Sequence, residues 1–166
     1  MSKRDVSVSW IRGIILMIVV LLLNGCINNN KVIQEEVYSN NDRLVEQADT
    51  FSYTDSKEIK QSSEQLSLEF ATFTGVNTMW KITADEEKEL ELQINQHIDE
   101  GEFKTIVVGQ EQEVSILCEG DRSQTTSIKL QPNEEYRIKI VGSQAKGKID
   151  INLKPQNGVH LDGVGQ

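Results

Sequence analysis

Between about Gln65 and Leu153 apolar and polar residues alternate with a period of two, the pattern of strands that bury one face and wet the other. Leu66, Leu68 and Phe70 alternate with Ser67 and Glu69. Val76, Trp80 and Ile82 alternate with Asn77, Met79 and Lys81, and Leu90, Leu92 and Ile94 with Glu89, Glu91, Gln93 and Asn95. Phe103 to Val108 carries apolar residues on both parities, as a more central strand does. Val114, Ile116 and Cys118 follow, then Ile128 and Leu130, then Tyr136, Ile138 and Ile140, then Ile149, Ile151 and Leu153. Turn residues punctuate the runs at Thr74-Gly75, Asp99-Glu100-Gly101, Glu119-Gly120-Asp121, Pro132-Asn133 and Gly142 to Gly147. Connections this short favour antiparallel neighbours, because a parallel crossover takes about a dozen residues or more. The pattern predicts an all-β fold over residues 64–154: a single antiparallel β-sandwich, jelly-roll-like, of about eight strands.

The first 26 residues have a different texture. Lys3, Arg4 and Arg12, offset by Asp5, precede an unbroken apolar run from Ile14 to Leu23, and Asn24-Gly25 places a small residue after it. These are the three parts of a secretory signal. As a helix the run rises only about 15 Å, half of a ~30 Å hydrocarbon core, so it is too short for a stable span. Extending it back to Trp10 would take in Arg12, at about 2.5–3.5 kcal/mol if placed at mid-bilayer.

Leu23-Asn24-Gly25-Cys26 resembles the lipobox of bacterial lipoproteins, with Leu23, Gly25 and Cys26 on the pattern and Asn24 where Ala, Ser or Thr is usual. The resemblance implies removal of residues 1–25, a diacylglyceryl group on the Cys26 thiol, and attachment to the extracytoplasmic face of the cell membrane. Each buried methylene contributes ~0.8 kcal/mol and a single chain holds only reversibly, so the two acyl chains of such a group suffice without a transmembrane helix.

Residues 26–63 are rich in Asn, Gln, Ser, Glu and Asp and keep no sustained period. Such composition buries too little apolar surface to offset ordering entropy, and predicts a flexible tether. Val37, Leu44, Val45 and Ala48 fall loosely on one helical side, a pattern too weak to predict a helix. The tail 155–166, with Gly158, Gly163 and Gly165, is expected to fray.

Charge narrows the partners. The whole chain carries −9; residues 1–25 carry +2, so the remaining 141 carry −11. That balance excludes nucleic acid and wholesale adsorption to anionic lipid. With Cys26 lipidated, Cys118 stands alone; its parity with Val114 and Ile116 reads as a small buried hydrophobe, the alternative being a reactive thiol. His97 and His160 have no nucleophile motif, phosphate loop or cysteine partner beside them, which points to no enzyme, no cofactor and no metal site. The acidic runs Asp85 to Glu89 and Asp99 to Glu102 read as solvated strand ends rather than a calcium site. Trp80 reads as a core anchor rather than a sugar-stacking platform.

One basic feature suggests a ligand. If the last three strands pair as consecutive hairpins, Lys129, Arg137, Lys139 and Lys148 project from one outer sheet face. They are candidates for binding the anions of wall polymers or lipid head groups, the alternative being charges that keep strands from aggregating. Finally, Leu130 to Gly142 is similar to the closing hairpin of the pre-peptidase C-terminal and carbohydrate-binding-like modules, with Asn133 in place of the turn glycine. That resemblance implies the architecture and little about ligand. The expected function is a lipid-anchored, non-catalytic binding or interaction module whose partner is a cell-wall polymer or a membrane protein. The alternative is an accessory subunit docked on a membrane enzyme or transporter, with a hydrolytic enzyme a more distant third.

Overall fold

Alternation that the sequence interrupts at its glycines is carried through the interruption by the backbone, so three strands run for about twice the expected length. The computed structural model describes residues 37–46 and 48–163, with the backbone alone for 56–61. Cys26, the signal-like segment and residues 27–36 of the expected tether lie outside the described residues, as do 164–166. Strands β1 (Thr50–Ser52), β2 (Asp55–Gln61), β3 (Gln65–Ala84), β4 (Lys88–Val108), β5 (Val114–Glu119), β6 (Arg122–Leu130), β7 (Tyr136–Lys154) and β8 (Val159–Gly163) are joined in all-antiparallel pairs.

At 20, 21 and 19 residues, β3, β4 and β7 would each extend about 60–70 Å if straight, at ~3.3 Å per residue. They bend instead. The register slips between Phe70 and Gly75 in β3 and between Ile98 and Glu102 in β4. Left-handed backbone marks the same places, at Thr72, Gly75, Gly101 and Gln144. Two of the glycines there are required by crowding: a Cβ on Gly75 would lie 2.0 Å from the Thr50 carbonyl oxygen, and one on Gly147 2.1 Å from that of His97.

Each long strand therefore passes through two sheets. The first sheet has the order β2, residues 65–70 of β3, residues 147–154 of β7, residues 88–98 of β4, then β6. The second has β1 and β8 sharing an edge, then residues 73–84 of β3, 136–145 of β7, 102–108 of β4, and β5. A single apolar cluster draws on both, with Leu68, Leu92, Ile151 and Ile128 from the first sheet and Trp80, Ile82, Ile138 and Val107 from the second. The architecture is the expected antiparallel β-sandwich. Phe70 stacks on Phe103 at 4.9 Å and Tyr53 on Phe73 at 4.8 Å where the strands bend between sheets, a geometry that adds to simple burial.

Three expected turns, at 74–75, 99–101 and 142–147, are thus bends within strands. The segments 85–87, 131–135 and 155–158 are arches from one sheet to the other. At the second arch Asn133 takes the left-handed conformation (φ 61°) that asparagine accepts more readily than other side chains. The Tyr136 hydroxyl accepts a hydrogen bond from the Gln131 N–H at 3.1 Å and donates to Glu134 at 2.8 Å, pinning the corner as a tyrosine does in other sandwiches.

A bulge between Thr78 and Trp80 shifts parity within β3. Val76 and Thr78 face outward, whereas Trp80 and Ile82 face the core, so Val76 and Trp80 do not share a face as simple alternation suggests. Trp80 is the core anchor expected of it, fully buried with Nε1 donating to the Ser63 carbonyl at 2.9 Å.

The folded body extends beyond residues 64–154 at both ends. A 3₁₀ turn (Val37–Ser39) and a four-residue helix, α1 (Asn41–Leu44), lie within the expected tether, as do β1 and β2. β8 lies within the expected frayed tail and pairs with residues 80–84. Edge strands gain mostly backbone hydrogen bonds and need no alternation; β1 is exposed throughout. Among the described residues no helix is long and apolar enough to cross a membrane.

Candidate functional site

The two sheets present opposite solutions to the question of what covers an outer face. On the second sheet the cover is the chain's own N-terminal segment, residues 37–49. Val37 and Leu44 are buried against Val76, Ile106, Val108 and Val141, forming a second apolar cluster outside the main core. Asn40 caps α1 by accepting from the Asp42 N–H, as short polar residues do at helix starts.

Three cations lie beneath this strap. Lys139 is 0% exposed, Lys104 7% and Arg137 8%. Lys139 Nζ donates to the Glu46 carbonyl at 2.7 Å, and the Arg137 guanidinium donates to the carbonyls of Val45 and Glu46 at 3.1 and 3.2 Å. The carbonyl groups just past α1 therefore face positive charge, the favourable polarity at a helix C-terminus. Lys104 donates to the Tyr38 carbonyl at 2.7 Å and sits 4.4 Å from that ring's centre, while Tyr38 donates to Glu119 at 3.0 Å. Asp49 ties down the far end: it accepts from the Thr78 N–H and hydroxyl, both at 2.8 Å, and lies 3.5 Å from Lys139. Burial lowers the pKa of Lys139 against the pull of Asp49, and lowers that of Lys104 against Glu119 and Glu102. Burial first, then the bond to Glu119, raises that of Tyr38.

The four cations expected on one face are accordingly parted. Because 136–154 is one strand rather than a hairpin, its bend sends Arg137 and Lys139 to the second sheet and Lys148 to the first. Arg137 and Lys139 point away from the core as expected, but the strap covers them. Lys129 pairs across strands with Glu89, and Lys148 bridges Asp150 at 2.9 Å. No shared anion-binding patch results.

The outer face of the first sheet is uncovered. Its cross-strand rows read Gln65, Asn152, Gln93, Thr125; then Ser67, Asp150, Asn95, Ser123; then Glu69, Lys148, His97. Toward the other end come Lys154, Glu91 and Ser127. Gln65 donates to Asn152 at 3.3 Å and Ser67 to Asp150. In the middle, among the described residues, the side chains of Gln93, Asn95, Ser123 and Thr125 have no hydrogen-bond partner.

Three shallow depressions lie on this face. The first, about 440 Å³, sits where the strands bend, with Phe70, Ala71 and Gly147 among its walls and Asp55, Glu69, His97, Asp99, Lys146 and Lys148 around it. The second, about 330 Å³, shares His97 and Lys148 with it and includes Asn95, Ser123 and Asp150. The third, about 410 Å³, is bordered by Glu91, Thr125, Ser127 and Lys154. His97 and Glu91 are six residue steps apart along β4, a tract of about 20 Å.

The histidines and acidic runs fall into place as local pairs. His97 has Nδ1 3.2 Å from Asp121 and Nε2 3.5 Å from Asp99, so both ring nitrogens face carboxylates. His160 meets Asp85 at 2.9 Å, on the arch side of the second sheet. Glu86 pairs with Lys88, Glu100 with Lys146, and Glu89 with Ser127. Among the described residues no three His, Cys, Asp or Glu side chains are gathered to hold a metal ion. Cys118 is buried, its Sγ 3.7 Å from the Arg122 carbonyl, and burial raises the thiol pKa.

Sequence reasoning passed over the amide face. The available signal was the polar parity of four strands, which carries Ser67, Gln93, Asn95, Ser123, Thr125 and Asn152 where a merely soluble face carries Lys and Glu.

No family model matches the chain, and no curated protein does. Among solved structures it is similar to a family 35 carbohydrate binding module from an environmental isolate. The identity is 17%, the match covers 69% of this chain and 83% of that one, and the TM-score is 0.34. At that distance the match adds nothing to what the strand register establishes: a β-sandwich with one sheet face strapped and the other an open field of carboxamides and hydroxyls.

Proposed function

We propose that the chain is a non-catalytic binding module, held at the extracytoplasmic side of a membrane by lipid on Cys26, and that the outer face of the first sheet binds a hydroxyl-rich polymer. The observation that carries this reading is the set of side chains Gln93, Asn95, Ser123 and Thr125, unpartnered among the described residues, at the centre of the sheet. A carboxamide offers two donors and an acceptor in one plane, and a hydroxyl offers both roles; sugar hydroxyls need such mixed partners. The two lysines of β7 on the face are paired, Lys148 with Asp150 and Lys154 with Glu91, and Glu69 adds negative charge, which suits a neutral polymer better than a polyanion. Among the described residues the exposed large hydrophobics are Phe51 and Ile116, neither on this face. An apolar docking patch of several hundred Å² is what a permanent membrane-protein partner would ask for.

The test is retention on isolated, insoluble wall glycan. The intact protein is expected to bind, and a Gln93→Ala, Asn95→Ala, Thr125→Ala triple variant to be lost from the pellet while melting within about 2 °C of the parent, since exposed substitutions cost little. Undiminished retention of the triple variant would remove this face from consideration. Mass spectrometry of the mature N-terminus tests the anchor separately; a free Cys26 thiol refutes it.

A further inference from the structure

We infer that the polymer held on this face carries N-acetylated amino sugars, and that an acetamido group enters the depression at the strand bends. The inference rests on the binding role proposed above and narrows its ligand. An acetamido group combines a methyl, which seeks carbon, with an amide, which seeks a planar donor and acceptor. The bend provides the two side by side. Phe70 and Ala71 supply carbon to the wall of the depression, and Gly147 leaves its own backbone bare, with no room for a Cβ beside the His97 carbonyl. The next depression along, sharing His97 and Lys148, contains the unpartnered Asn95 carboxamide.

Charge around the bend is only partly matched: among the described residues Lys148 bridges Asp150, while Asp55 and Glu69, both on the rim, have no ion pair. His97 lies between Asp99 and Asp121, and Lys146 lies 3.9 Å from Glu100. Such a rim repels a carboxylate, so the acetamido reading rests on the carbon wall, and an ammonium drawn to Asp55 and Glu69 is the competing occupant. A sugar bearing only hydroxyls would leave the carbon wall unfilled. Aromatic stacking, the other way to hold such a sugar, has no platform on this face among the described residues: Trp80 is buried in the core, and the exposed Phe51 lies in β1 of the second sheet.

The experiment is calorimetric titration of the full mature chain in lipid nanodiscs with three soluble oligomers of equal length: N-acetylglucosamine, its de-N-acetylated form, and glucose. The acetylated oligomer is expected to bind at least about tenfold more tightly than glucose, the discrimination one small apolar group gives; tighter binding of the de-N-acetylated form would show that Asp55 and Glu69 hold an ammonium instead and would overturn the inference. Ala71→Trp, which fills the depression, is expected to abolish that preference, while Asn95→Ala weakens all binding. Equal affinity for the three oligomers would overturn the acetamido inference and leave the binding face standing. Binding of none of them, by a chain that still binds whole wall glycan, would also overturn it. No binding to oligomers or to whole glycan would overturn both.

Discussion

Leu44→Ala isolates the strap from the rest of the fold. Leu44 is fully buried, and its contacts are with the second apolar cluster rather than the core between the sheets. Truncating a buried leucine to alanine costs about 2–5 kcal/mol, the spread reflecting how far the site can collapse. Here the loss falls on docking of residues 37–46, which can lift without unfolding the sandwich, so the whole cost appears as local opening. Taking the lower figure of about 2 kcal/mol, the open population rises roughly 30-fold, since each 1.4 kcal/mol is a factor of ten. Arg43 is exposed on the strap and offers a trypsin site; where reclosing outpaces cleavage, the cutting rate follows that population. Exchange of the Leu44 and Val45 amides, bonded to the Asn40 and Asn41 carbonyls, should accelerate by the same factor. An unchanged cutting rate accompanied by a fall of several degrees in the main melting transition would show that Leu44 supports the sandwich itself, and would refute the separation of strap from body.

Raising the pH toward 10 should strengthen the fold. Lys104 and Lys139 have pKa values lowered by burial, so from the lowered values up to about 10.5 the unfolded chain holds more protons than the folded one, and stability rises with pH across that window. The environment of these lysines includes Asp49, Glu46, Arg137, Glu102 and Glu119. Above about 10 the trend reverses, because Tyr38, Tyr53 and Tyr136, all raised by burial, ionise first in the unfolded chain; a melting temperature that falls steadily from pH 8 to 10 would contradict this. Cys118, buried and with a raised thiol pKa, should react with an aromatic disulfide reagent only as fast as the protein opens, so a rapid stoichiometric burst from native protein would count against its placement. Gly147→Ala should destabilise by more than about 1 kcal/mol, beyond what ordinary surface substitutions cost, because the added Cβ meets the His97 carbonyl oxygen at 2.1 Å; a chemical-denaturation midpoint equal to that of the parent would show that the bend has slack.

The fold was legible wherever burial is one-sided and local. Residues 65–70, 90–94 and 149–153 alternate cleanly because each contributes to a single inner face. Alternation says nothing about whether two runs belong to one strand, so β3, β4 and β7 read as pairs, and the glycines that bend them read as turns. Val37 and Leu44 carried no periodic signal because a strap needs only a few anchors spaced to match a surface built elsewhere; their partners Val76, Ile106, Val108 and Val141 come from three other strands. The cationic patch failed for the same reason. Its parity was right, but the pairing that would have gathered Lys129, Arg137, Lys139 and Lys148 depended on a hairpin that does not form.

Strap and open face are linked through those buried cations. Buried ions paired chiefly with backbone carbonyls are costly to desolvate, and a sheet covered by apolar residues alone would be simpler to stabilise. With Arg137, Lys139 and Lys104 held under residues 37–46 and 48–49, the charges of these three are withheld from anionic polymers and head groups. The first sheet, where Lys148 and Lys154 are paired and the central amides, among the described residues, are not, is then the face with unused hydrogen-bonding capacity. If Leu44→Ala lifts the strap as argued, the variant should gain salt-sensitive affinity for anionic vesicles that the parent lacks, while its affinity for N-acetylated oligomers stays unchanged. Loss of oligomer binding on opening the strap would instead show that the two faces are one site, and the division of labour between the sheets would have to be abandoned.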